Sequence, residues 1–441
     1  MADEDEKQKP VIYGSAGMAA AGMIPGARLV RKGNQNPKAE TPAEDPPSAE
    51  EPEETPPELV AQEVPAPEPV SEPHGRKAVV SGQTEGGGFG PGLLQVFQRL
   101  DGVRLVAVCD EHGATVEQTR SSAAAPNGYA RFTEMLEQES PDLVCLASEW
   151  SEGRCEQAKE ALASGANVLC GSPFVTNLKE ADELIELASA NGSSIAVAGS
   201  LRCDPHLSRF HAEHGELIGD ILQVLVIGDA SGQTAGEDLL VNGLRLFDVA
   251  RWFAGEVSFC TANITLDGFP TIAEDAHESE TRKIGPLLGD TIHAEFVMES
   301  GIPVTYRSDA RMASALGPCG IEFVGTSGRM RFFLGDEPAL SLLNQAEPST
   351  SNRTDSWQRW PETPGDYHVP VDGFTGQAGL NRLLVKDWTD SLDKDTEALA
   401  SVENARKALE MAHGIWQAGV TMRRAYFPLV NRLHPLAEES R

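Results

Sequence analysis

Positive charge is scarce in this chain. Its 441 residues carry 36 Lys and Arg against 67 Asp and Glu, a formal net charge of −31. Nucleic acids and anionic membrane surfaces both require a basic face, so neither is an expected partner. Long apolar runs are missing as well: nothing approaches the roughly 18 consecutive apolar residues of a membrane span. Residues 11–30 are small and weakly apolar, and the KQKP before them is a thin positive flank behind four acids, so no signal peptide is expected there. Cysteine is sparse, with seven residues and no pair at C-x-x-C spacing, which argues against a zinc or disulfide framework. Cys109, Cys145 and Cys170 fall inside apolar strand patterns and read as buried reduced thiols, as in a cytoplasmic protein. No metal site is expected.

What is present divides into three parts: a tail over residues 1–75, a first domain over 76–203 and a second over 204–437. Between Glu40 and Pro73 stand eleven acids and ten prolines without one Lys or Arg. Such a stretch has too little apolar surface to offset its ordering entropy and is expected to be disordered. It serves either as a solubilising spacer or as a docking arm for a protein partner, with residues 11–30 folding on that partner.

From Lys77 strands and helices alternate. Strands are predicted at Lys77–Ser81, Arg104–Cys109, Asp142–Ala147, Asn167–Cys170 and Ser194–Ala198. Helices are predicted at Pro91–Leu100, Tyr129–Glu139, Glu152–Ser164 and Leu178–Asn191. This rhythm means a parallel sheet covered on both faces. After Asp204 it changes. Helices at Pro205–Leu217 and Leu239–Phe253 frame a strand at Ile221–Ile227. Strands then follow one another at Phe259–Thr265, Thr291–Glu299, Pro303–Ser308, Gly320–Gly325 and Met330–Phe333, the pattern of an antiparallel sheet. Helices at Asn381–Leu392 and Ser401–Ala418 close the chain. Ile292, Ala294, Phe296 and Met298 share one side of a strand and are expected to supply a face for a homo-oligomer.

The segment ALASGANVLCGSPFVTNLKEA, Ala161–Ala181, carries a helix end, a buried strand and a Pro turn into the next helix. It resembles the region around the Glu-Lys-Pro motif of the Gfo/Idh/MocA oxidoreductases, the family of glucose–fructose oxidoreductase and inositol dehydrogenase. The resemblance covers roughly residues 77–437 and includes the closing His434-Pro435-Leu436. It implies an α/β fold: a Rossmann doubly wound parallel sheet, then an α+β domain with an open, mostly antiparallel sheet. It also implies NAD as cofactor and oligomerisation through the C-terminal sheet. Cys170-Gly171-Ser172-Pro173 stands where the family motif ends. Pro173 is kept, and Ser172 replaces the lysine that takes part in hydride transfer.

A dinucleotide turn places backbone N–H groups at a helix N-terminus. The chain offers a glycine-rich loop from Gly82 to Gly92 but no strict G-x-G-x-x-G at the expected distance. Counting back from Asp110 gives Gly90 and Gly87 as the third and second glycines, with Glu85 in the place of the first. An insertion would make Gly82 or Gly86 the first. The loop is either a remodelled phosphate loop that binds NAD or a turn that has lost its ligand, leaving no cofactor. Asp110 ends a strand where an acid meets the adenosine ribose. After Ala147 the family pattern Thr-Pro-Asn-x-x-His becomes Ser148-Glu149-Trp150-Ser151-Glu152-Gly153. Ser148 and Trp150 fall where the cofactor passes, and Glu149 and Glu152 add negative charge there.

The second family motif, Asp-x-Gly-x-His-x-x-Asp, aligns with Val241 to Asp248. Gly243 and Asp248 are kept, Val241 replaces the first Asp, and Arg245 replaces the His. Oxidising an alcohol requires a proton acceptor as hydride leaves. Arg245 stays protonated and cannot be that base. Ser172, Arg245 and Asp248 therefore mark a catalytic site stripped of its ordinary groups. Glu237 and Asp238 are the substitute bases to consider. Arg202 and Arg245 form a possible anion clamp, unless Arg245 pairs with Asp248 or Asp238. His206, His211 and His214 read as a solvated helix face rather than a metal site. Three functions stand open: a binding or assembly protein that has lost dehydrogenase chemistry, an active NAD-dependent oxidoreductase on a sugar or polyol with rebuilt groups, or an oligomeric platform whose acidic tail is the working part.

Overall fold

The computed structural model describes residues 75–82, 90, 92–111, 113–228, 236–279, 282–310, 319–334, 339–344, 357–361 and 376–437. The acidic tail, Gly86, Gly87 and Glu85 lie outside the described residues. The first layer is β1 (Arg76–Gly82), α1 (Leu93–Gln98), β2 (Val103–Asp110), α2 (Val116–Ser122), β3 (Asn127–Tyr129), α3 (Phe132–Glu139), β4 (Leu143–Leu146), α4 (Arg154–Ala163), β5 (Asn167–Cys170), α5 (Leu178–Asn191) and β6 (Ile195–Val197). These strands form a parallel sheet in the order β3-β2-β1-β4-β5-β6. That is the Rossmann order, with its topological switch point between β1 and β4.

The central strands are apolar on both sides because helices cover both faces. In β1, Ala78, Val79 and Val80 are fully buried. Val79 belongs to the core under α3, α4 and α5, and Val80 to the core under α1. α5 starts where Asn177 accepts from the Glu180 N–H at 2.9 Å, and ends at Gly192 with φ 66°. α2 and β3 were not legible as elements: β3 has three residues, and its Asn-Gly reads as a turn.

The second layer holds α6 (Pro205–Leu217), β7 (Ile221–Ile227), α7 (Leu244–Ala254), β8 (Val257–Leu266), β9 (Phe269–Pro270), β10 (His277–Glu278), β11 (Pro286–Leu287), β12 (Thr291–Met298), β13 (Pro303–Asp309), β14 (Gly320–Gly325), β15 (Gly328–Phe333), β16 (Ala339–Asn344), β17 (Gln358–Trp360), α8 (Gly376–Lys394), α9 (Val402–Thr421) and β18 (Ala425–Tyr426). A ten-stranded sheet runs β17-β16-β15-β14-β7-β13-β12-β8-β18, with β9 on β8. Among the described strands of this sheet only the β13–β7 pairing is parallel. Among the described residues no helix is long and apolar enough to cross a membrane.

The face expected to meet a second copy is occupied by the chain's own helices. Ile292, Ala294, Phe296 and Met298 are 2%, 6%, 0% and 1% exposed. Phe296 meets Phe247 of α7 edge-on, with centroids 5.6 Å apart. Alternation shows that one face is apolar, not which layer covers it. The other face of the sheet carries exposed His293, Glu295, Thr261 and Arg307. α8 returns to the first layer, where Trp388 Nε1 donates to Ser194 Oγ at 3.2 Å.

Candidate functional site

Two neighbouring clefts gather the residues singled out by sequence. The first lies at the carboxyl ends of β1 and β4 and is lined by Ser81, Gly82, Glu111, Ser148, Trp150 and Arg154 among others. Beside it Gly90 has φ +56°, and a Cβ there would stand 3.1 Å from the Ala147 carbonyl oxygen. Glycine accommodates both the positive φ and the close approach to β4 at this position.

Asp110 does not face this cleft. Its carboxylate is fully buried and accepts from Thr115 Oγ1 at 2.8 Å and Thr119 Oγ1 at 3.0 Å, tying β2 to α2. The next residue, Glu111, is exposed, lines the cleft and accepts from Gln157 Nε2 at 2.6 Å. Spacing identified the strand end but not which of two adjacent acids turns outward.

The negative charge expected after β4 is compensated. Glu149 pairs with Arg282 at 3.4 Å, and Glu152 with Lys283 at 3.3 Å. Lys283 also stands 4.7 Å over the Trp150 ring, and its carbonyl accepts from Ser151 Oγ at 2.8 Å.

Arg154 was missed. It is 2% exposed and opens α4. Its Nη2 donates to the carbonyls of Ser148 and, at 2.7 Å, Trp150, and its Nη1 to those of Pro173 and, at 3.3 Å, Gly171. One guanidinium thus ties the loop after β4 to the turn after β5. A Cβ on Gly171 would lie 3.2 Å from Nη2, so glycine at the motif's Glu position makes room for the fork. Burial pulls the Arg154 pKa down to about 10, which leaves it protonated at neutral pH. The available signal was a paired departure, Gly171 in the motif and an Arg at the start of the preceding helix.

The second cleft brings Ser172, Pro173, Arg245 and Asp248 together with Ser200 and Asn404. Arg245 pairs with neither Asp248 nor Asp238. Its Nε donates to the Gly199 carbonyl at 3.1 Å, and burial lowers its pKa to about 10. Asp248 is held by Arg202 at 2.8 Å and Arg251 at 3.6 Å. Arg202 is therefore engaged with a carboxylate, and the two-arginine clamp is not assembled.

Glu237 and Asp238 are buried away from this cleft. Ser279 Oγ donates to Glu237 at 2.5 Å. Tyr306 OH donates to Asp238 at 2.8 Å, and Asn242 Nδ2 at 3.0 Å. Desolvation, then the Asp238 charge, raises the Tyr306 pKa well above its ordinary value. On α6, His211 stacks on Trp252 with centroids 4.1 Å apart, and His214 Nδ1 lies 2.8 Å from the His211 carbonyl. Among the described residues no group of His, Cys, Asp and Glu could hold a metal.

Residues 80–198 match the family model described as oxidoreductase family, NAD-binding Rossmann fold. Glycosyl hydrolase family 109 protein 5 of Phocaeicola vulgatus is 31% identical over 107 residues, 22% of this chain and 20% of that protein. An uncharacterized oxidoreductase of Schizosaccharomyces pombe is 33% identical over 101 residues, 22% of this chain and 27% of that protein. The matches thus span about a fifth to a quarter of these relatives. An oxidoreductase domain protein from Kribbella flavida shares the fold at 15% identity and TM-score 0.63, covering 80% of this chain and 99% of that one. An oxidoreductase from Agrobacterium radiobacter, solved with NAD+, L-tartaric acid and magnesium, gives TM-score 0.59 at 15% identity, covering 80% and 98%. The Rossmann strand order and the kept Pro173 agree with this match, so residues 80–198 are the part of the chain that matches the NAD-binding Rossmann fold of the Gfo/Idh/MocA oxidoreductases.

Proposed function

We propose that this protein binds a nicotinamide dinucleotide in the switch-point cleft and a small ligand in the adjoining cleft, and has lost ordinary alcohol dehydrogenation. One observation carries the second half. Ser172, Val241 and Arg245 offer no proton acceptor, and Asp248, the only carboxylate among the described residues lining the second cleft, is engaged by Arg202. Glu237 and Asp238, the substitute bases, are buried in hydrogen bonds elsewhere.

The residues fit a dinucleotide. The cleft opens at the switch point, Glu111 offers acceptors to ribose hydroxyls, and Glu149 and Glu152 are ion-paired rather than bare. A bound nicotinamide would supply a hydride acceptor. The chain would still have to remove the hydroxyl proton, and the described residues lining the second cleft offer no unengaged base for that step.

The test is an NADH fluorescence titration followed by assays of polyol-dependent NAD reduction. NADH binding without turnover is expected. Ser172→Lys with Val241→Asp and Arg245→His restores the acceptor, and each general acid–base group contributes about 10²–10⁴-fold. Wild-type turnover abolished by Asp248→Asn would support the active-oxidoreductase reading, with Asp248 freed from Arg202 as the base.

A further inference from the structure

We propose that the second cleft binds a small hydroxycarboxylate, its carboxylate gripped by the Arg245 fork. This deepens the binding reading above by naming the ligand class. Three polar side chains lining the cleft, Ser172, Asn404 and the two Nη groups of Arg245, have no partner among the described residues. Polar groups converging unpaired in a cleft with apolar walls are how small-molecule sites fix orientation. Here Pro173, Val197, Leu244 and Leu409 supply the walls, around about 450 Å³ of space open to solvent.

The charge balance selects the ligand. Asp248 is held by Arg202 and Arg251, so neither it nor Arg202 is available to a ligand. Arg245 contributes one positive charge, and no carboxylate lies within ion-pair distance of it among the described residues. A partly desolvated guanidinium calls for an anion. A single positive charge matches a monoanion better than a phosphate dianion. The bond from Nε to the Gly199 carbonyl at 3.1 Å tethers the side chain and leaves the Nη pair to donate side by side, the geometry of a bidentate carboxylate. Ser172 and Asn404 each offer a donor and an acceptor, which suits a hydroxyl on the same ligand.

The experiment is calorimetric titration of the full chain with lactate, glycerate and 3-hydroxybutyrate. 1,3-Butanediol serves as the neutral probe and inorganic phosphate as the competing anion. At least one carboxylate should bind, with the diol about 10- to 100-fold weaker. Arg245→Gln should weaken the carboxylate by a similar factor at an unchanged thermal midpoint. If that variant does not fold, Arg245→Lys keeps the charge and breaks the fork, and it should still lose affinity. Three silent carboxylates, equal binding of the diol or of phosphate, or a folded Arg245 variant with undiminished affinity would overturn the proposal. A parallel NADH titration separates the readings. NADH silence with carboxylate binding refutes only the dinucleotide site, and NADH binding with no carboxylate signal refutes only this inference.

Discussion

A family motif residue is missing beside each cleft, a glutamate at one and a histidine at the other, and the two sites have responded differently. At the switch point the missing Glu of the family motif is Gly171, and the space is filled by Arg154, whose guanidinium is bonded to four carbonyls. The acids nearby are matched by Arg282 and Lys283. In the second cleft Arg245 replaces a histidine, and its Nη groups are left without a partner among the described residues. One departure was absorbed into structure, while the other leaves chemistry exposed. A substitution inside a motif is therefore not by itself evidence of decay. What matters is whether neighbouring groups satisfy the incoming side chain.

The largest effect that separates the clefts is expected at Arg154. Arg154→Ala removes the donors to the carbonyls of Ser148, Trp150, Gly171 and Pro173. Buried unsatisfied acceptors cost about 1–3 kcal/mol each, and water entry spares some, so a loss of about 3–5 kcal/mol is expected. Urea unfolding measures it. Gly171→Ala should destabilise the wild type by crowding the guanidinium but cost much less beside Arg154→Ala, a coupling that a double-mutant cycle reads directly. Additive effects would show that Gly171 and Arg154 are unrelated departures.

Acid should loosen the wall behind the second cleft. His413 and His434 lie with ring centroids 4.9 Å apart, and a Cβ on Gly285 would meet both Thr176, in the loop after Pro173, and the His434 ring. Desolvation holds the His434 pKa at about 3 and that of His413 well below the usual value. Both rings are therefore neutral in the native protein, while the unfolded chain takes up their protons near pH 6.5. Between that pH and about 3 the unfolded state binds more protons, so stability is full above pH 6.5 and falls as pH drops. His434 alone should remove about 3 kcal/mol by pH 4.5. Unfolding measured from pH 7 to 4.5 should show a shallower slope in His434→Gln, and an unchanged slope would mean the ring is protonated in the native state.

Periodicity made most of the fold legible. Asn167–Cys170, Leu178–Asn191, Pro205–Leu217 and Ile221–Ile227 are observed with the bounds predicted. The caps explain this: Asn177 and Asp204 each accept backbone N–H groups at a helix start. Motif alignment also found the residues of the second cleft. What it could not supply was orientation. Whether Arg245 reaches Asp238, Asp248 or the Gly199 carbonyl depends on where α7 lies against β6, a tertiary fact. The same limit hid the Arg154 fork, because its partners are backbone carbonyls that carry no sequence signal.

The smallest expected effect tests orientation at the cofactor edge, where Asp110 and Glu111 are adjacent. If the dinucleotide reading holds, the ribose hydroxyls meet Glu111, which lines the cleft, and not Asp110, which is fully buried against α2. Glu111→Gln keeps an acceptor but removes the charge. A hydrogen bond to a charged group is worth about 1.5–3 kcal/mol when shielded and less when exposed, so NADH should bind about 3- to 10-fold more weakly. Asp110→Asn should leave NADH affinity within about twofold. Its cost should appear as stability, about 1–2 kcal/mol, because Thr115 and Thr119 lose a charged acceptor for their hydroxyls. The two variants thus exchange readouts, affinity for one and unfolding for the other. If Asp110→Asn weakens NADH while Glu111→Gln does not, β2 ends one residue differently in the bound protein, and the acid identified by spacing alone is the ribose ligand after all.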